Sequence, residues 1–255
     1  MEIEVFRNAD SFNAIFAYIK IMSSTATLYF SESRMYLQVL DTSHISIAEV
    51  SLPAAWFDSY KVPAASRAPL SIGINVSVLS RVLSVREKDQ CIRLTYTPGA
   101  EILEIHIVGG AASKHFCIHT VCIELDTVLI PDSEYQAEFT LQSSVLCNIV
   151  SQLKMFGDTI NISCSEDAVG LSAENELGAM KVDLSIDELT AFAIEEECCV
   201  SQTFSCNYIF AFLSLHAKLS KYIEVKLSAA CPLLLVYFVG VDATLRFFLA
   251  PKLVD

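Results

Sequence analysis

No apolar run in this 255-residue sequence is long enough to cross a bilayer. The longest, Ala229 to Val241, has 13 residues and is interrupted by Pro232, whereas a membrane-spanning helix needs about 20. Nor does the sequence open with a basic stretch followed by an apolar one, so no secretory signal is read. The expectation is a soluble intracellular protein with no membrane partner. Zinc-type spacings are missing as well: nine cysteines occur without a CxxC pair or a Cys/His pattern. Most are flanked by apolar residues, as in NISCS and VLCNI. They are read as buried free thiols, because Cys packs as a small hydrophobe where disulfides do not form. No metal site and no cofactor is expected. The phosphate-binding pattern GxxxxGK[ST], a GxGxxG after a strand, and HExxH are all absent, which removes several common nucleotide- and zinc-dependent enzyme classes. Asp41, Ser43 and His44, or the Cys198–Cys199 pair, supply reactive residue types. Neighbours along one turn or strand do not, however, provide the nucleophile, base and orienting acid of a triad. The chain is read as a non-enzyme, with a thiol-dependent enzyme kept as the alternative from another functional class.

What the sequence does contain is a long internal repeat. FNAIFAYIKIM (Phe12 to Met22) resembles VLCNIVSQLKMF (Val145 to Phe156), with Lys20 and Lys154 separated by 134 residues. NVSVLSRVL opens at Asn75 and the comparable NYIFAFLSL opens 132 residues later at Asn207. Strand-like segments at Ile92 to Tyr96 and Ile102 to Val108 recur near Ile223 to Leu227 and Leu233 to Val239, displaced by 131. A repeat of this length means two copies of a whole domain of about 125 residues rather than the short units of a solenoid. With 53% hydrophobic residues, each half can build its own core.

Strand signals dominate both halves. Met35 to Leu52 alternates apolar and polar residues on either side of Asp41-Thr42-Ser43, as two half-buried strands around a turn do. Helical periodicity is confined to four segments. Phe12, Ile15, Phe16, Ile19 and Met22 form one apolar stripe, and Ser77, Ser80, Arg81 and Ser84 form the polar face of the second segment. In the third, Val145, Leu146, Ile149 and Leu153 are expected to point inward; the fourth leaves Asn207, Ala211, Ser214 and Lys218 on its least apolar side. The expected fold class is α+β: two tandem similar domains, each with two helices packed on antiparallel sheet.

Charge separates the helices from the strands. The whole chain carries −13, yet segments 10–22, 75–88, 142–156 and 206–221 hold seven basic residues against two acidic ones, a balance of +5. The remainder has 10 basic and 28 acidic residues, a balance of −18. Lys and Arg are good helix formers and favour helix ends, which accounts for part of the excess. The rest reads as a basic surface attracting a polyanion while the acidic exterior repels it.

Several segments resemble one family. LQVLDTSHISIAEVSL (Leu37 to Leu52), FDSYK (Phe57 to Lys61), GINVSVLSRVL (Gly73 to Leu83), FGDTINISC (Phe156 to Cys164), ENELGAMKVDL (Glu174 to Leu184) and FFLAPKLVD (Phe247 to Asp255) are, in order and end to end, similar to the eukaryotic and archaeal sliding clamp family, proliferating cell nuclear antigen. The resemblance implies the DNA clamp fold with an N-terminal clamp domain at 1–119, a connecting linker at 120–133 and a C-terminal clamp domain at 134–255. It also implies a head-to-tail homotrimer whose ring encircles duplex DNA without regard to sequence. Such a ring serves as processivity factor for replicative DNA polymerase and as scaffold for a clamp loader, flap endonuclease, DNA ligase and other replication and repair clients in the nucleus. The closest alternative is a subunit of the related heterotrimeric checkpoint clamp.

Site residues follow from the resemblance by position. Lys20, Arg81, Lys154, Lys218 and Lys221 are the implied DNA contacts. Asn13, Ser84, Asn148, Ser151 and Ser214 stand where the family often carries further cations, so weak direct DNA affinity is expected. The implied partner-binding pocket comprises Leu40, His44, Ile45, Val128, Ile130, Pro232, Phe248, Leu249, Ala250 and Pro251. It would receive a short client motif with a glutamine, an aliphatic residue and two aromatics. Phe248 replaces a frequent Tyr, Leu129 a customary linker Gly, and Glu166 a lysine that many members modify. The subunit contact is expected to pair Ala111 to His119 with Leu177 to Ser185 of the next copy, leaving His115 and His119 as exposed edge residues.

Overall fold

The computed structural model describes residues 1–63, 69–123, 127–131 and 133–252. It divides into two compact units, one formed by Met1–His44, Ala48–Val128 and Val239–Leu245, the other by Ile45–Ile47, Leu129–Phe238 and the residues from Arg246 onward. Residues 124–126 and 132 of the expected linker and the last three residues of FFLAPKLVD lie outside the described residues.

The first copy runs β1 (Glu2–Val5), α1 (Ala9–Met22), β2 (Thr25–Phe30), β3 (Arg34–Leu40), β4 (Ser46–Pro53), β5 (Ser59–Lys61), β6 (Leu70–Asn75), α2 (Val76–Ser84), β7 (Cys91–Thr95), β8 (Ile102–Val108) and β9 (Lys114–His119). The second runs β10 (Ala137–Gln142), α3 (Ser143–Leu153), β11 (Thr159–Cys164), β12 (Ala168–Asn175), β13 (Gly178–Ser185), β14 (Ala191–Ile194), β15 (Val200–Ser205), α4 (Cys206–Leu213), α5 (His216–Leu219), β16 (Tyr222–Leu227), β17 (Leu233–Phe238) and β18 (Thr244–Leu249). In the first copy the hydrogen-bonded orders are β5-β1-β7-β8-β9 and β4-β3-β2-β6. In the second they include β14-β10-β16-β17 and β13-β12-β11-β15. Each order in the second copy is the first copy's order with every strand moved on by nine positions, so the sequence repeat is a repeat of topology. Neighbouring strands are antiparallel throughout the registered pairs.

Alternation explains the strands. β2 and β11 both read half-buried, buried, half-buried along six residues, because successive side chains leave a strand on opposite faces. In α1, Phe12, Ile15, Phe16, Ile19 and Met22 are all buried, as the stripe predicts, and the Phe12 and Phe16 rings meet edge to face at 4.9 Å. α2 is capped by the Asn75 side chain, which accepts from the Val78 N–H.

The copies depart from the sequence reading in four places. α3 begins at Ser143, a fully buried residue whose N–H and Oγ both donate to carbonyls, at Lys221 and Ser220. That anchorage rotates the helix so that Val150 is buried and Val145 is exposed, reversing the expected placement of Val145. The fourth helical segment is not continuous. α4 stops at Leu213, where Ser214 Oγ donates to the Ala211 carbonyl and the His216 ring bonds the Leu213 carbonyl, and the separate α5 follows. The N-cap of α4 is Ser205, so Asn207 lies inside the helix, unlike the capping Asn75, and donates to Asp158. Finally, Leu94 faces Ile105 in the β7/β8 hairpin while Val225 faces Leu235 in β16/β17, which makes the offset across this strand 130 rather than 131. A one-residue slip exchanges the two faces of a strand. Glu104 and His106 therefore correspond to Leu234 and Val236.

Candidate functional site

The sequence-predicted cations lie on or just beyond the helices of each copy, at exposed or half-exposed positions. Lys20 lies in the last turn of α1 and Arg81 in α2, both exposed. Lys154 closes α3 as its C-cap and holds its ammonium 4.4 Å from the centre of the Phe210 ring of α4, a cation–π contact that fixes one helix of the second copy against the other. Lys218 is in α5 and Lys221 just beyond it, its ammonium 5.1 Å from the Tyr222 ring. Arg86, counted with the basic layer, is used internally. Its side chain is only 4% exposed, pairs with Asp10 of α1 and donates to the Glu87, Lys88 and Gln90 carbonyls. The expected neutral positions Ser84, Asn148, Ser151 and Ser214 are exposed, so the faces they share with the cations are polar but uncharged there.

The implied partner-binding residues fall into two groups. Leu40, His44 and Val128 belong to the first unit and line a cleft of about 210 Å³ together with Ala26, Tyr29 and Gln38. The LDTSH turn shapes one end: Asp41 Oδ2 accepts from the Ser43 N–H, the His44 N–H donates to the Asp41 carbonyl, and His44 takes a left-handed φ of 58°. Sequence reasoning missed Gln38. Its amide grips Val128 at both ends, Nε2 donating to the carbonyl at 3.0 Å and Oε1 accepting from the N–H at 2.7 Å. The other group belongs to the second unit. Phe248 packs on Leu234 and Val236, with Ile130, Ile47 and Tyr135 against that cluster. Leu249 is fully buried, Pro232 exposed, and Ala250 and Pro251 half-buried; the Ala250 N–H donates to the Ile45 carbonyl at 2.9 Å. Ile45 is exposed.

Two further placements bear on assembly. β9 ends the five-stranded sheet of the first copy and β13 ends the four-stranded sheet of the second. His115 and His119 are exposed on β9, as expected. Glu166 accepts from the Glu197 N–H at 2.9 Å and so caps the turn in which Glu197 adopts a φ of 55°. The cysteines differ from expectation: only Cys164 and Cys206 are buried, whereas Cys117, Cys122 and Cys199 are exposed. Apolar neighbours in sequence are the opposite face of a strand, not the surroundings of the thiol. Burial pushes the Cys164 thiol up to about 12 and that of Cys206 to about 11, which leaves both as unreactive thiols at neutral pH.

Comparison with known families covers both copies. The profile described as proliferating cell nuclear antigen, N-terminal domain, matches residues 1–128, and the one described as its C-terminal domain matches residues 129–252. Both halves are thus present, in order, on a backbone of two tandem α+β domains. The chain belongs to the proliferating cell nuclear antigen family and has its DNA sliding clamp fold.

Proposed function

We propose that three copies of this chain close head to tail into a ring around duplex DNA, acting as processivity factor for a replicative DNA polymerase and as docking platform for replication and repair proteins. The observation that carries this reading is the unbroken match to both clamp domains across residues 1–252. The terminal positions of β9 and β13 support it: among the described residues both leave a backbone edge unpaired, and a head-to-tail contact that closes by rotation pairs these two edges. The concentration of cations on helices in a chain of −13 supports the choice of DNA. A ring that slides must avoid base-edge hydrogen bonds, so Lys20, Arg81, Lys154, Lys218 and Lys221 act through phosphates alone. Retention is topological rather than adhesive. The exposed apolar atoms of Ile45, Val128 and Pro232 and the Phe248 cluster form the surfaces that receive short client motifs from a clamp loader, a flap endonuclease, a DNA ligase and the polymerase. In a eukaryotic cell this work places the protein in the nucleus. The family is one of non-enzymatic clamps, and the reading assigns this chain no turnover.

The test is to load the protein onto nicked circular DNA with a clamp loader and then cut the circle. Release on linearisation supports topological linkage, and unchanged retention overturns it. Native mass separates the homotrimer from a heterotrimeric checkpoint clamp: the lone chain is expected near three times 28.1 kDa. A monomer that assembles only with different chains would favour the checkpoint reading.

A further inference from the structure

The outer face of the β8/β9 hairpin gathers metal-ligating side chains that no contiguous spacing reveals. Strand alternation puts Glu104 and His106 on one face of β8, and antiparallel pairing sets them directly across from Cys117 and His115 of β9. The ligating atoms of Glu104, His106 and His115 all lie within 4.8 Å of one another. His106 Nε2 is 3.6 Å from Glu104 Oε2, and Cys117 Sγ is 3.9 Å from His115 Nε2. Donors around a tetrahedral zinc, at about 2.0 to 2.3 Å from the ion, stand roughly 3.3 to 3.7 Å apart, so these two pairs are close to ligating separation. Cys117 Sγ lies outside the 4.8 Å group, so the remaining closure falls to its side chain and to the imidazoles, which stack with centroids 4.1 Å apart and planes 20° apart. A ring nitrogen binds metal in the ring plane, so the rings must splay, and both are accessible enough to turn: His115 is exposed and the His106 side chain is 34% exposed.

The surrounding charge permits a cation. Arg93 lies across from His106 on β7, but its guanidinium is held by Glu4 at 2.6 Å and Glu2 at 3.8 Å. The expectation of no metal site rested on ligands close together in sequence, whereas here E-x-H and H-x-C come from two neighbouring strands.

We propose that Glu104, His106, His115 and Cys117 bind one zinc ion per chain. Nitrogen and thiolate donors favour a borderline-soft divalent metal over calcium or magnesium. Four protein donors leave no open coordination position, so the ion acts as a structural clip that fastens the terminal strand β9 to β8. All four ligands sit in one sheet of one chain, and occupancy is therefore measurable whether or not the chain forms a ring.

The experiment strips the 255-residue chain with a chelator, titrates it with cobalt(II), and then displaces the cobalt with zinc. One equivalent per chain is expected, with a thiolate-to-cobalt charge-transfer band that zinc abolishes. His106→Ala and His115→Ala should each weaken binding about 100-fold or more, since even groups that only support metal ligands are worth 10 to 100-fold. Cys117→Ser should remove the charge-transfer band, and a Cys198→Ser/Cys199→Ser double variant should change nothing. Zinc should raise the Tm of the parent chain and not that of the His variants. Circular dichroism establishes that each surface variant is folded. The proposal is overturned by the absence of saturable binding up to millimolar cobalt, or by binding that persists in the His106→Ala/His115→Ala double variant.

Discussion

Asp58 ties the start of α1 to the rest of the first copy. Partial burial pushes its carboxyl up, but the N–H groups of Phe6 and Arg7 and the Arg7 guanidinium at 2.7 Å outweigh this and hold it below the usual carboxylate range. A lowered folded value means that the ionised carboxylate stabilises the fold. That contribution is complete above the unfolded value of about 3.9 and is lost as pH falls through the lower folded one. Asp58→Asn is thus expected to unfold at lower denaturant than the parent at pH 7, with the gap closing in acid; a gap that widens below pH 4 would contradict the assignment. Gly73 answers to space rather than charge. A Cβ built there meets the Val121 carbonyl oxygen at 2.0 Å, while the Val121 N–H donates to the Gly73 carbonyl at 2.9 Å. Gly73→Ala must push the backbone at Val121 off β6, at a cost of about 1–3 kcal/mol. Thermal denaturation checks it, and an unchanged Tm would mean that Val121 approaches less closely.

At the scale of elements, the side chain of Gln38 on β3 clamps the chain at Val128. Gln38→Ala should cost about 1 kcal/mol, typical of a lost hydrogen-bonded contact, and raise hydrogen exchange at the Val128 amide before any other change appears. Unaltered exchange there would show the clamp to be idle. Nothing in the sequence announces this contact, because the partners lie 90 residues apart and Gln38 reads only as an outward position of an alternating strand. Helices and strands were otherwise legible, since periods of 3.6 and 2 describe which residues one core covers. The missed details depend on bonds formed after the chain has closed on itself: Ser143 against Ser220 and Lys221 turned α3, and His216 against Leu213 ended α4. The basic candidates could be found from composition by segment, although Arg86 shows that a helical cation can be sequestered by an acidic partner on another helix. Glu104, His106, His115 and Cys117 were individually visible but could not be grouped, because alternation assigns a face without naming the neighbouring strand.

For the whole molecule, the five cations proposed to meet DNA are few in a chain of net charge −13. The isolated protein is expected to bind short linear duplex no more tightly than nonspecific binding, about 10⁻⁴ to 10⁻⁶ M, and to lose that affinity steeply with salt. Lys20→Ala combined with Arg81→Ala should weaken it further, more than Lys154→Ala, whose ammonium is already engaged with the Phe210 ring. Fluorescence anisotropy across a salt series checks both statements. Tight binding at physiological salt would remove the case for retention by encirclement.

The register of the two hairpins makes the two copies differ on one face of the corresponding strand. Glu104 and His106 occupy the place that Leu234 and Val236 hold in the second copy, where Phe248 covers them. The same place in the repeat is polar in the first copy and apolar in the second. A chimera fusing two first copies would lack that aromatic-covered seat, and one fusing two second copies would lack the histidine pair. Neither copy therefore supplies the other's version of this strand face.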